Sequence, residues 1–334
     1  MTMLRNLVTD VPGVSVGNAQ DLALGSGVTA LIFDAPAAAS IAVHGGAPGL
    51  RDAALLEPDM TVGAVDALVL SGGSAFGLDA MGGVQAWLRE QGRGYDVRGM
   101  KVPIAPGAIM FDLLNGGDKN WGRMPPYWEL GHQAASAAAQ DFALGSMGAG
   151  AGATTANYKG GLGSTSAATS RGFRVGALVA VNALGSAVIG DGPQFWAGLV
   201  EHGGEFGGLG VPPRLFHDQL LLRVKGEEPQ NTTIAIVVTD AALSKQQLKR
   251  IAVMAQDGMG RALRPTHAML DGDVVFAAAT ARKSEEPTMR DLIEIGTACA
   301  DCLARAIARG VYEATALPHA GAQPAWRDRF GALA

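Results

Sequence analysis

The sequence is poor in cysteine, in charge and in aromatic side chains. Its only two cysteines, Cys299 and Cys302, exclude a disulfide scaffold. Their C-x-x-C spacing falls in a stretch of helical periodicity, with no histidine or further cysteine beside it to complete a zinc site. A structural role in a reducing cytoplasm is therefore expected. Charged residues make up 17% of the 334 and aromatics 6%, against 48% hydrophobic. That balance rules out disorder and implies an unusually large buried fraction, in a compact or oligomeric protein. The net charge is -5, from 26 basic and 31 acidic residues with no lysine or arginine cluster. The electrostatic footprint of a nucleic-acid binder is missing. No apolar run reaches the roughly 18 residues of a membrane span. The longest, Val175 to Gly190, is broken by Asn182 and Ser186, and the opening MTMLRNLVTDVPGVSVG has no secretory h-region. A soluble, cytoplasmic protein is expected, with neither nucleic acid nor membrane as partner.

Glycine is abundant, with 47 residues and no G-X-Y period, so it serves loops and close backbone packing rather than a collagen-like helix. Short β-branched or apolar runs predict strands at Gly13 to Gly17, Val28 to Asp34, Ser40 to His44 and Ala64 to Leu70. The turn Ser71-Gly72-Gly73-Ser74 then leads into a predicted helix from Ala75 to Gln91. A second helix, Trp128 to Phe142, precedes the glycine-rich loop Gly145 to Gly152, and strands are predicted at Val175 to Val181 and Ala187 to Gly190. From Asp191 to Gln230 the pattern dissolves into glycine, proline and charge, a length of irregular chain that usually has a functional or processing role. Order returns with a strand at Thr232 to Thr239. A helix capped by Ser244 and Gln247 follows to about Ala262, then a strand at Val274 to Ala279 and a helix from Met289 to Tyr312. The tail from Ala316 reads as irregular. With no repeat period, the pattern predicts a layered α/β protein, sheets inside and helices outside.

Several catalytic motifs fail on inspection. There is no Gly-Lys-Ser/Thr of a Walker loop, and Gly148, Gly150 and Gly152 follow a helix where a dinucleotide fingerprint follows a strand. Gly72-Gly73-Ser74-Ala75-Phe76 misses the last glycine of a nucleophile elbow. The six histidines show no metal-ligand spacing and read as surface or packing residues, so no metal or cofactor is implied. What remains is Asn231-Thr232-Thr233, where the irregular segment meets an apolar strand. Attack of the Thr232 hydroxyl on the Asn231 carbonyl would cut the chain and leave Thr232 with a free α-amine, a base near neutral pH that activates its own hydroxyl. Thr-Thr at a strand start is also ordinary β-propensity.

Five pieces in order carry a resemblance over nearly the whole chain: Pro12-Gly13-Val14-Ser15-Val16-Gly17, Gly45-Gly46-Ala47-Pro48-Gly49, Leu70 to Leu78, Asn231-Thr232-Thr233-Ile234 and Asp271-Gly272-Asp273. The chain resembles the self-processing aminopeptidases and amidases that include the L-aminopeptidase/D-esterase, the β-peptidyl aminopeptidases and the 6-aminohexanoate-oligomer endohydrolase. The resemblance implies a four-layer αββα sandwich forming one hydrolase domain, residues 1-334. It is cut into fragments 1-231 and 232-334 that stay together, and assembles as a homotetramer. It also implies hydrolysis of amide bonds in short peptides, amino-acid amides or ω-amino acid oligomers.

Residue by residue, Thr232 falls on the nucleophile position and Asn231 on the residue before the cut. Lys159 falls on the family lysine and Asn182 on the asparagine that donates to the oxyanion, where a neutral amide stabilises developing charge without losing a proton. Asp271 and Asp273 stand two apart, so on extended chain both face one way, one pKa rises, and Lys159 would offset their repulsion. A β-turn is the other reading of Asp-Gly-Asp. Phe111 stands where relatives carry a tyrosine. Two other functions fit parts of the sequence: an acyltransferase of the ornithine-acetyltransferase kind, and a binding module whose Gly145 to Gly152 loop cradles phosphate.

Overall fold

Apolar residues alternating along paired strands build the centre of the molecule. The computed structural model describes residues 4–226 and 231–333. Its strands are β1 (Val14–Asp21), β2 (Ser26–Val43), β3 (Gly49–Arg51), β4 (Val65–Ser71), β5 (Tyr95–Val97), β6 (Met100–Val102), β7 (Gly107–Ile109), β8 (Leu162–Ala168), β9 (Arg174–Asn182), β10 (Thr232–Thr239) and β11 (Val274–Ala279). Its α-helices are α1 (Ala80–Glu90), α2 (Tyr127–Ser136), α3 (Lys245–Ala262), α4 (Met289–Tyr312) and α5 (Trp326–Phe330). The order across the main sheet is β3-β7-β4-β2-β11-β10-β9-β8, with β1 on β2 and a separate β5-β6 hairpin.

The 18-residue β2 belongs to two layers. Its first half pairs with β1 and β4, its second half with β11, and its register against β4 shifts between Ile32 and Ala37. Three apolar clusters then define four layers. One lies between α1/α2 and the outer face of the first sheet, with Val69, Val84 and Ala134. One lies between the two sheets, with Leu31, Leu68, Ile236 and Phe276. One lies between the second sheet and α3/α4, with Val237, Ala252 and Leu303. This is the αββα sandwich implied by the resemblance.

The boundaries differ from the sequence reading in ways that have physical causes. The predicted strands Val28 to Asp34 and Ser40 to His44 are one strand, bent at the exposed Asp34-Ala35-Pro36, where proline cannot donate to a ladder. The helix predicted from Ala75 begins as a 3-10 turn, Ser74–Asp79, and the one predicted to Phe142 stops at Ser136. Ala187 to Gly190 forms only an isolated bridge at Val188. β8, rich in Gly, Ser and Thr, escaped the pattern of apolar runs, and α5 ends a tail read as irregular. The capping box of Ser244 and Gln247 is present. Cys299 and Cys302 are buried and unpaired on α4, and burial raises both thiols well above their ordinary range. The Gly145 to Gly152 loop does not cradle phosphate: the N–H groups of Gly145, Met147, Gly148, Ala149, Gly150 and Ala151 are bonded within the fold. Residues 227–230 of the irregular segment lie outside the described residues. No helix among the described residues is long and apolar enough to cross a membrane.

Glycine lets α4 lie directly on β8. A methyl group at Gly163 would stand 1.8 Å from the Ala306 carbonyl oxygen, backbone against backbone. Gly163→Ala should therefore lower stability by at least about 1–3 kcal/mol, read as a lower urea midpoint at unchanged slope.

Candidate active site

Strand register brings the first two site residues together. In the antiparallel pair β9-β10, Thr232 lies opposite Asn182. Ile234, Ile236 and Val238 on β10, and Ala180 and Leu178 on β9, face the layer between the sheets. Side chains repeat every second residue, so Thr232 and Asn182 sit on that face at one end of the layer. Directly opposed residues place their Cβ atoms about 5 Å apart.

Both residues at the predicted cut are buried, Asn231 at 2% and Thr232 at 4% exposure. The Thr232 hydroxyl donates to the Asn231 carbonyl at 2.5 Å. A second donor, the Gly272 N–H, reaches the same oxygen at 3.0 Å. Asn231 forms a parallel bridge with Asp271, which brings Asp271-Gly272-Asp273 alongside the bond. Only glycine fits at 272: a Cβ there would stand 2.7 Å from Thr232 Oγ1 and 2.8 Å from the Ala47 carbonyl oxygen. The Gly45 to Gly49 piece supports this arrangement. Gly45 N–H donates to the Asp273 carbonyl at 3.1 Å and Ala47 N–H to the Asp271 carbonyl at 2.7 Å.

Asp271 closes a turn, its N–H donating to the Ala268 carbonyl at 3.0 Å, and Asp271-Gly272-Asp273 runs on from that turn into β11. Asp273 is saturated with donors: Oδ1 accepts from Thr233 N–H at 2.8 Å, and Oδ2 takes Thr266 Oγ1, His267 N–H and the His267 ring at 2.9 to 3.0 Å. Asp271 accepts from Ala268 N–H at 3.0 Å through Oδ2, while its Oδ1 is buried without a partner among the described residues. Burial, and then the charge of Asp273, push its pKa up to about 6.

Lys159 is buried, and its ammonium rests on two carbonyls, Gly150 at 2.9 Å and Gly160 at 2.8 Å. It does not pair with the aspartates as expected. Burial, reinforced by Lys225 and opposed by Asp112, lowers it to about 7. The cation that feels Asp271 is Lys225, lowered by burial to about 7 against the attraction of Asp271 and Asp112. Asn182 turns its Oδ1 toward Thr154 N–H (3.0 Å) and Lys225 Nζ (3.1 Å), and its Nδ2 donates to the Phe111 carbonyl at 2.9 Å. One amide N–H of Asn182 remains for another acceptor. Phe111 offers no hydroxyl; its ring borders a cavity of about 430 Å³ also lined by Asp112, Asn115, Thr154, Lys225 and Gln323.

Sequence reasoning missed Lys225, Thr154 and His267. Lys225 reads as solvated in a charged linker, and His267 matches no metal spacing. The one available signal for His267 was its position six residues before Asp273 in a Pro-Thr-His turn.

The family profile described as peptidase family S58 matches residues 6–323. An uncharacterized aminopeptidase of Mycobacterium tuberculosis is 40% identical, with 97% of this chain and 98% of that one covered. A 6-aminohexanoate-oligomer endohydrolase of Agromyces sp. is 29% identical, over 81% of this chain and 74% of that one. Among solved structures, a β-aminopeptidase of Burkholderia sp. has a TM-score of 0.73 at 20% identity, covering 98% of this chain and 93% of that one. An L-aminopeptidase D-Ala-esterase/amidase of Ochrobactrum anthropi has a TM-score of 0.69 at 21% identity, covering 98% and 95%. That structure is described as a variant of the Ntn hydrolase fold. None of these proteins bears the name of an acyltransferase, and that reading finds no support among them.

The raised pKa of Asp271 has a stability consequence. The folded state favours its protonated form, and the stabilisation this gives is full below the ordinary carboxylate pKa and lost as pH rises through about 6. Asp271→Asn, neutral throughout, should leave the thermal midpoint at about pH 4 nearly unchanged and raise it at about pH 8. Calorimetric scans of both proteins at the two pH values measure the difference.

Proposed function

The chain belongs to peptidase family S58 and is a hydrolase of amide bonds, and from that premise we propose that it cuts itself between Asn231 and Thr232 and then works through Thr232 as an N-terminal nucleophile. The observation that carries this reading is the Asn231 carbonyl, which receives the Thr232 hydroxyl and the Gly272 N–H together. The hydroxyl touches the carbonyl of the bond it would attack, and a backbone donor is on the oxygen where negative charge would develop.

In the uncut chain, Thr232 Oγ1 adds to the Asn231 carbonyl carbon and its proton passes to a basic group of the site. Asp271, raised by burial to about 6, has a suitable pKa. The C–N bond breaks, the Thr232 nitrogen takes a proton, and an ester joins Asn231 to Oγ1. Water hydrolyses the ester, leaving Asn231 with a carboxylate and Thr232 with a free amine. That amine, of reference pKa about 8, then serves as base for the hydroxyl in turnover. Substrate acylates Oγ1, its amine leaves, and water releases the acid.

Asn182 lies across the strands from Thr232, and its free N–H would receive the oxyanion. Asp273 fixes the backbone N–H of Thr233, next to the nucleophile, and pins His267. Lys159 ties the carbonyls of Gly150 and Gly160 under the strand end that carries Asn182. Substrates are short peptides, amino-acid amides or ω-amino acid oligomers, the last matching the name of the Agromyces relative. The enzyme acts in the cytoplasm, in keeping with two buried thiols, and as a homotetramer, in keeping with the exposed Met289 and Ile293 on α4.

Purified protein should run as pieces of about 24 and 11 kDa, from its 34.2 kDa divided by length, with Thr232 as the new N-terminus. Thr232→Ala should stay whole and inactive; a processed variant, or an uncut chain with full activity, contradicts the reading. In processed enzyme, Asn182→Ala should lower kcat about 10²- to 10³-fold with little change in KM, because the contact matures only in the transition state. Steady-state kinetics on an amino-acid amide separate the two parameters.

A further inference from the structure

One lysine of the segment leading to the proposed cut turns its ammonium inward. Lys225 stands six residues before Asn231, beside the exposed Val224 and Gly226. Its backbone N–H donates to the Leu184 carbonyl at 3.0 Å, and its side chain turns inward along the cavity wall. Three acceptors receive the ammonium: Thr154 Oγ1 at 2.8 Å, the Thr154 carbonyl at 3.2 Å and Asn182 Oδ1 at 3.1 Å. An ammonium has three protons, so its donors are filled as a bound ligand's would be. Asp271 and Asp112 attract it from further off.

Three features set this lysine apart from a structural one. A cation held on neutral acceptors at a desolvated site adds little to stability that an apolar side chain of the same length would not. The acceptors belong to the body of the fold, at the end of β9 and in the loop before β8, whereas the lysine belongs to irregular chain ending at the cut. Finally, Asn182 is the cross-strand partner of Thr232, which puts the cation one side chain away from the reacting bond.

We propose that Thr154 and Asn182 form the subsite for the primary ammonium group of the substrate, and that in the uncut chain Lys225 fills it in the substrate's place. The proposal rests on the reading of Thr232 as nucleophile. A lysine side chain is an alkylammonium, the same chemistry that ends an ω-amino acyl chain. The amine of a short peptide meets the same acceptors from a carbonyl nearer Thr232. Asn182 then has two tasks: its Oδ1 takes the ammonium while its N–H faces the reacting oxygen, and a cation on Oδ1 polarises the amide into a better donor. Cleavage at Asn231 frees the segment that carries Lys225, and the subsite opens as the nucleophile is made.

The test reads binding, not turnover, so it stands apart from the chemistry of Thr232. Full-length Thr232→Ala chains, with Lys225 or with Lys225→Ala, are titrated with n-propylammonium, which replaces the atoms removed, and with 1-propanol as neutral control. The Lys225→Ala chain should bind the amine at least about tenfold more tightly than the parent, with no such gain for the alcohol, and Thr154→Val should abolish the gain. Equal binding by the two chains, a gain that survives Thr154→Val, or a gain shared by 1-propanol overturns the subsite. If Lys225→Ala does not fold alone, n-propylammonium and not 1-propanol must restore the fold, and its failure to do so overturns the proposal equally. Failure of the nucleophile reading shows separately, as a Thr232→Ala chain that still cuts itself.

Discussion

The carbonyl of Asn231 accepts two hydrogen bonds, and much of the molecule serves to bring the two donors to it. The hydroxyl arrives because Thr232 begins a strand whose register is fixed on both sides, by β9 and by β11. The Gly272 N–H arrives because Asp271 runs parallel to Asn231 and the Gly45 to Gly49 loop holds that segment in place. Neither donor depends on a mobile side chain of several torsions. In the proposed cleavage the Gly272 N–H already points where charge would form, which would keep the reorganisation cost low.

The second constraint is burial. Lys159 and Asp271 are buried and Lys225 half-buried, and for each of them desolvation is the first cause of the shift toward neutrality. Groups that would hold fixed charges in water become able to exchange protons near neutral pH. The same low dielectric makes the placement of Asp273 intelligible: its carboxylate oxygens meet four donors, and it in turn discourages ionisation of Asp271. Two carboxylates two residues apart thereby stand in different surroundings, Asp273 on four donors and Asp271 on one.

Much of this was legible in the sequence where residue type and period agree. The β10 run, the capping box at Ser244, the β11 run and the long α4 stand close to where their patterns place them. Thr232, Asn182, Asp271 and Asp273 converge at one end of the inter-sheet layer, and Lys159 stands further off, on carbonyls. What could not be read is what depends on contacts between distant segments. Pro36 marks a break locally, yet β2 continues past it because β11 takes over the ladder. Lys225 looks solvated in its own stretch and is half-buried because its ammonium reaches Thr154 and Asn182. His267 has no motif, and its partner Asp273 is fixed by a turn that composition does not reveal.

β10 and β11 are interior strands, with β2 on one flank and β9 on the other. Everything after Thr232 is thus woven into a sheet whose outer members all precede it. A nick ahead of β10 creates two chain ends but no free edge, so neither piece can peel away without tearing two ladders at once. The covalent link at that point contributes nothing mechanical to the assembled fold. A break there would leave the shape intact, because the tether lost is one that the weave already makes redundant.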